Sequence, residues 1–179
     1  MSMEYPTELH IEPMKLEYEG VFDFDSLYTM ILDWLKEYGF KVEEKKYKHK
    51  GSGGGAEMEI SIEGQKKVTN YYKYTINVNF WLEGFKTSAL DTKEGKKSIS
   101  SGKIKIEVEG TLNLDYEEVF STGFLKKVRS MYNQYIIKKE IEAIWYDTLY
   151  YRITRLHTMI KKYLDMQTAF SKYEYYLGE

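Results

Sequence analysis

Two periodicities divide the chain. Between residues 58 and 114 apolar side chains recur at every second position: Met58, Ile60 and Ile62, then Tyr72, Tyr74, Ile76, Val78, Phe80 and Leu82, then Ile104, Ile106, Val108, Leu112 and Leu114. Glu57, Lys73, Asn77, Asn79, Lys105, Glu107 and Glu109 take alternate positions. Successive side chains of a strand face opposite ways, so the pattern predicts an antiparallel sheet with one dry and one wet face. Beyond Tyr116 the period lengthens to about 3.6, the signature of helix, and no proline interrupts the chain through Phe170.

The flanks read in the same terms. Leu9 and Ile11, then Met14, Leu16 and Tyr18, alternate with a change of phase across Glu12-Pro13, which predicts an edge strand bent or bulged there. Leu27, Ile31, Trp34, Leu35 and Tyr38 form a helical stripe, with Asp23 or Asp25 placed to cap its start and Gly39 to end it. Lys41 to Lys50 reads as a short charged strand, and Gly51-Ser52-Gly53-Gly54-Gly55 as a flexible connection. Gly64-Gln65 suggests a hairpin, and Lys86 to Lys97 a longer polar connection.

Together these elements predict one α+β domain over residues 1–179. An antiparallel sheet of five or six strands occupies about 8–116, with a short helix after the first strand. A helical portion at about 118–170 packs on one sheet face, and a tail at 171–179 carries Tyr173, Tyr175 and Tyr176. With Ser121 or Thr122 as its cap, a single helix of that length would run roughly 75 Å. It therefore either breaks near Asn133 or projects.

The order strand, helix, antiparallel strands, long terminal helix resembles the helix-grip fold, which implies a curved sheet wrapped round its last helix. The strings Phe22-Asp23-Phe24-Asp25-Ser26-Leu27-Tyr28, Asp33-Trp34 and Tyr135-Ile136-Ile137-Lys138-Lys139-Glu140 are similar to those of uncharacterised proteins of metagenomic archaea, a resemblance that implies no activity.

Composition narrows the chemistry. The 26 basic and 28 acidic residues give a net charge of −2, so the overall field that draws proteins to nucleic acid or to an anionic membrane is missing, although a local basic patch is allowed. There is no cysteine, which removes disulfides, thiolate nucleophiles and cysteine-ligated metals. No signal-peptide pattern or membrane-length apolar run occurs, so the expectation is a cytoplasmic protein. Asn and Gln together number eight against abundant Glu and Lys, a composition that leans thermophilic.

Motif-level candidates are few. His10, His49 and His157 lie far apart in sequence without metal-ligand spacing, and no cofactor is expected. Asp23 and Asp25 are better explained as caps than as an acid–base pair. The glycine run after Lys50 lacks the Gly-Lys-Ser/Thr ending of a phosphate loop. Lys45, Lys46, Lys48 and Lys50 beside Tyr47 offer a weak nucleic-acid contact, offset by Glu43 and Glu44.

The last third is more informative. Trp145, Leu149, Ile153, Leu156, Ile160 and Tyr163 form a core-facing stripe. Ile144 and Tyr151 lie to one side of it and Tyr146 and Tyr150 to the other; upstream, Phe124, Val128, Tyr132 and Tyr135 repeat the pattern, with Met131 and Ile136 off it. This exceeds what one facing element can bury. The expectation is a non-catalytic protein that self-associates or scaffolds through this helix, with Ile144, Tyr146, Tyr150 and Tyr151, and Tyr71 and Trp81 on the wet sheet face, as interface candidates. The alternative is a small apolar ligand held in a cavity lined by Ile76, Val78, Phe80, Ile106, Val108, Trp145 and Leu149. Catalysis is disfavoured because no acid or base falls on the dry strand faces.

Overall fold

The computed structural model describes residues 6–52, 55–92, 95–118, 120 and 123–176, with side chains except at 52, 89–98 and 166–176. Five antiparallel strands form one sheet in the order β1–β5–β4–β3–β2. They are β1 (Glu8–Phe22), β2 (Lys41–Ser52), β3 (Gly55–Lys67), β4 (Tyr72–Thr92) and β5 (Gly95–Leu114). β1 pairs with β5, so the first strand closes one edge beside the last, and its register shifts between Ile11 and Met14 at the expected bend.

The alternating residues fill the core as expected. Ile62, Tyr74, Ile76, Val78, Phe80, Leu82, Ile104, Ile106, Val108, Leu112 and Leu114 are buried on one face. The other face carries cross-strand ion pairs, among them Lys15–Glu107 at 3.3 Å, Lys105–Glu17 at 3.7 Å and Lys45–Glu63 at 3.2 Å.

Helix α1 (Phe24–Glu37) starts where Asp23 accepts a bond from the Ser26 amide at 3.0 Å, and ends at Gly39 with φ +78°. Positive φ suits a residue without a side chain. The helix buries Phe24, Leu27, Ile31, Trp34 and Leu35.

Two local expectations are corrected, and a third falls partly outside the described residues. Gly64 and Gln65 lie inside β3, and the turn to β4 falls at Val68–Tyr71, closed by the Val68 amide on the Tyr72 carbonyl at 2.9 Å. Gly64 is small because α1 comes down on it: an added Cβ would stand 3.3 Å from Leu35 Cδ2. Residues 86–92 and 95–97 extend the β4–β5 pairing, with Lys86 opposite Ser101 and Leu90 opposite Lys97. Of the glycine run, residues 51, 52 and 55 belong to strands, while 53–54 lie outside the described residues.

The helical portion is broken. Helix α2 (Gly123–Tyr135) ends just past Asn133, and a short turn α3 (Lys138–Glu140) and a π-helical turn (Ile141–Tyr146) lead into helix α4 (Asp147–Tyr176). The proposed caps Ser121 and Thr122 lie outside the described residues. Among the described residues no helix is long and apolar enough to cross a membrane.

Candidate interaction surface on the terminal helices

Docking of α4 fixes which of its residues face outward. Leu149, Ile153, Leu156 and Ile160, at helical spacing, are fully buried, with Leu164 continuing the stripe. Along β1, the Tyr146 hydroxyl donates to the His10 carbonyl at 3.3 Å and His157 Nε2 lies 3.4 Å from the Lys15 carbonyl oxygen. Over α1, Tyr163 donates to the Asp23 carbonyl at 3.3 Å, and the Arg152 guanidinium lies 5.7 Å from the Tyr38 ring centre and 5.6 Å from that of Tyr74.

The π turn is tied to the sheet. The Tyr74 hydroxyl donates to the Trp145 carbonyl at 2.8 Å, drawing that carbonyl toward the sheet, and burial raises the tyrosine's pKa. The Trp145 ring stacks on Tyr72 with centres 4.9 Å apart, while its indole N–H donates to Glu140 at 3.1 Å. A π turn accommodates one extra residue, and Ile141, absent from the predicted stripe, is fully buried.

Of the six interface candidates, Ile144, Tyr150 and Tyr151 are exposed, with the two tyrosine rings edge-on at 5.8 Å. Tyr146 is half-buried. Tyr71 is engaged internally, donating to Asn133 Oδ1 at 2.9 Å and packing edge-on against Tyr72 and Phe120. Burial also raises the pKa of its hydroxyl. Trp81 sits on the wet sheet face with Lys105 Nζ 5.9 Å from its ring centre, away from the dry face that α4 covers. The structure therefore groups Ile144, Tyr150 and Tyr151 and leaves Trp81 apart.

The proposed cavity residues belong to the core. Ile76, Val78, Phe80, Ile106, Val108 and Leu149 are buried, and Trp145 is half-buried against Tyr72. Where the sheet narrows at Gly110, Ile153 occupies the space. An apolar groove of about 430 Å³ opens elsewhere, between the β3–β4 turn and α2, lined by Tyr71, Tyr72, Phe120, Val128, Tyr132 and Ile137, with Arg129 and Glu140 as further lining.

Helix α2 is turned the wrong way for a core helix. Its buried residues are Arg129 and Asn133, at 8% and 0% exposure, whereas Phe124 and Tyr135 are 77% and 76% exposed. Arg129 is held by Asp115 at 3.2 Å, and Asp115 also accepts from the Phe120 amide. Polar pairing thus anchors the inward side of α2.

The three histidines stand apart, on β1, β2 and α4, and among the described residues no group of three His, Asp or Glu side chains is arranged to hold a metal. On the wet face Glu107 and Glu109 share a hydrogen bond that raises the pKa of Glu109 and lowers that of Glu107. No family model matches the chain and no curated protein is significantly similar to it.

Proposed function

We propose that this protein is a non-catalytic, self-associating structural unit whose α4 helix pairs with α4 of a second copy. The observation that carries this reading is an exposed, self-complementary stripe: Asp147, Tyr151, Arg155, Thr158 and Lys162, with Ile144 and Tyr150 beside it. Spacings of four, four, three and four residues keep the stripe on one side of a helix.

Charge along it is ordered. On the stripe itself Asp147 lies four residues before Tyr151 and Arg155 four after it, with Lys162 beyond; Lys138, Lys139 and Asp165 at the two ends carry the opposite order. An antiparallel partner related by a two-fold axis at Tyr151 would put Asp147 of each copy opposite Arg155 of the other, with the tyrosines at the centre. A parallel partner would oppose like charges instead.

The energetics require both parts. Burying ~100 Å² on each of Ile144, Tyr150 and Tyr151, at about 25 cal/mol per Å², provides several kcal/mol per copy. That is comparable to the cost of association. A standard interface covers roughly 800 Å² per partner, so the charged and hydroxyl rim must join the apolar centre.

Charge reversal tests the pairing. Asp147→Arg or Arg155→Asp alone places like charges across the axis and is expected to weaken the dimer about ten-fold. Combining the two restores opposite pairs and the wild-type mass in light scattering. A dimer indifferent to all three variants would contradict this antiparallel arrangement.

A second reading rests on the groove beside Tyr71 and Tyr72, whose volume and aromatic lining suit a small apolar ligand. A rise in melting temperature with apolar aromatic compounds, removed by Tyr132→Glu, would support it.

A further inference from the structure

Strand β2 turns its lysines and its tyrosine to opposite sides. Its register against β3 shifts between Glu44 and Lys46, a bulge in which Lys45 is the extra residue. Strict alternation would set Glu44 and Tyr47, three positions apart, on opposite faces. With the extra residue both stand on the dry side, Glu44 opposite Ile62 and Tyr47 opposite Ile60. The lysines go the other way: Lys45 Nζ lies 3.2 Å from Glu63, Lys46 pairs with Glu59, and Lys48 and Lys50 stand beside Trp81 on the wet face.

A second bulge aims a ring at the same place. The β4 register shifts between Glu83 and Lys86, around Gly84 at φ +62°, a backbone angle that favours glycine. Phe85 packs on the dry side, its ring centre 5.9 Å from that of Phe24 and 6.5 Å from that of Phe22. Helix α1 completes the wall, with the Phe24 and Tyr28 rings 5.9 Å apart and Asp25 in its first turn.

These residues enclose a cleft of about 260 Å³, walled by the rings of Phe24, Tyr28, Tyr47 and Phe85 and edged by Asp25 and Glu44. Glu44 Oε2 accepts the Tyr28 hydroxyl at 2.8 Å, which holds carboxylate and ring together. Among the described residues the lining contains no Lys, Arg or His, and neither carboxylate has an ion-pair partner.

We propose that this cleft binds a small organic cation, a quaternary ammonium group faced by the four rings and matched by Glu44 and Asp25. Aromatic faces attract a cation through their quadrupole, and a weakly hydrated ammonium reaches them at little cost. An anion would meet only carboxylates, and an uncharged apolar ligand would leave them unmatched. A metal ion is disfavoured, because among the described residues no three His, Asp or Glu side chains converge.

Choline is the probe. NMR titration of the isotopically labelled chain, at about pH 8 so that neighbouring His49 is neutral, should give saturable shifts of amides near 24–28, 44–47 and 85–87. The neutral isostere, with tert-butyl in place of trimethylammonium, should bind at least about ten-fold more weakly. Glu44→Gln keeps an acceptor for Tyr28 and removes the charge; Tyr47→Ser removes a ring that is 57% exposed. Each should weaken choline roughly five-fold or more, and Tyr47→Phe should bind like the wild type. Both residues are exposed, so circular dichroism should be unchanged.

No saturable shift by about 50 mM choline would overturn the proposal. So would equal binding of the neutral isostere, displacement by magnesium at equal concentration, or an affinity unchanged in both weakening variants. The other two surfaces are separate: Asp147→Arg and Tyr132→Glu should bind choline like the wild type, and a loss in Tyr132→Glu would place the cation in the groove beside Tyr71 instead.

Discussion

Ile153 of α4 stands directly over Gly110 of β5, in the space that any larger residue at 110 would fill. A Cβ added to Gly110 would overlap Ile153 Cδ1 and come within 3.3 Å of Ile11 Cδ1. This notch fixes the rotation of α4, because Tyr151, two positions before Ile153, is then about 160° round the helix and must face outward. Gly110→Ala is expected to destabilise the protein by about 1–3 kcal/mol through overpacking. A urea titration measures this, and an unchanged midpoint would mean that α4 is not seated in the notch.

The anchor of α2 is an ion pair with both partners buried. Asp115, with φ 52°, holds Arg129 at 3.2 Å and the Phe120 amide at 3.2 Å. Removing one member leaves a buried charge without its match, at a cost of roughly 3–5 kcal/mol when the site stays closed. Asp115→Asn should therefore release α2 from the sheet. Hydrogen exchange of the 123–135 amides would rise sharply while β4 and β5 stay protected; uniform protection would contradict the anchoring role.

The alkaline limb of stability depends on tyrosine. Burial, aided by the Glu44 carboxylate that accepts its hydroxyl bond at 2.8 Å, pushes the pKa of Tyr28 up to about 12. Because the folded value lies above the unfolded one, the neutral form supports the fold. That contribution is complete below about pH 10 and lost as pH climbs through about 12. Tyr74 and Tyr163 shift in the same direction by burial. Tyr28→Phe should flatten the fall in stability over this window, and an unchanged slope would remove Tyr28 from the account.

Much of the architecture was legible because burial leaves a periodic trace. The sheet faces, the kink near Pro13, the Asp23 cap and the Leu149–Ile160 stripe all follow from spacing. Gly64 misled because glycine suits a turn and also a strand floor under a helix, and only the position of Leu35 distinguishes them. The 86–97 segment misled because it lacks the alternation of apolar and polar residues that marks the other strands, so a hairpin arm reads as a loop. Ile141, four positions before Trp145, continues the same stripe one turn upstream of its predicted start. For the surface, the exposure of Ile144, Tyr150 and Tyr151 follows from excess apolar circumference. The orientation of α2 was hidden, since a helix with one apolar stripe ordinarily turns it inward, and the Asp115–Arg129 pair that reverses it joins residues fourteen apart in sequence.

The central claim is that the outward side of α4 joins two copies, and mass in solution tests it most directly. Light scattering over a concentration series should approach twice the 21.3 kDa of one chain, and Tyr150→Glu with Tyr151→Glu should return it to a folded single chain. A wild-type mass of one chain at every concentration, or an unchanged assembly in the double variant, would contradict the account.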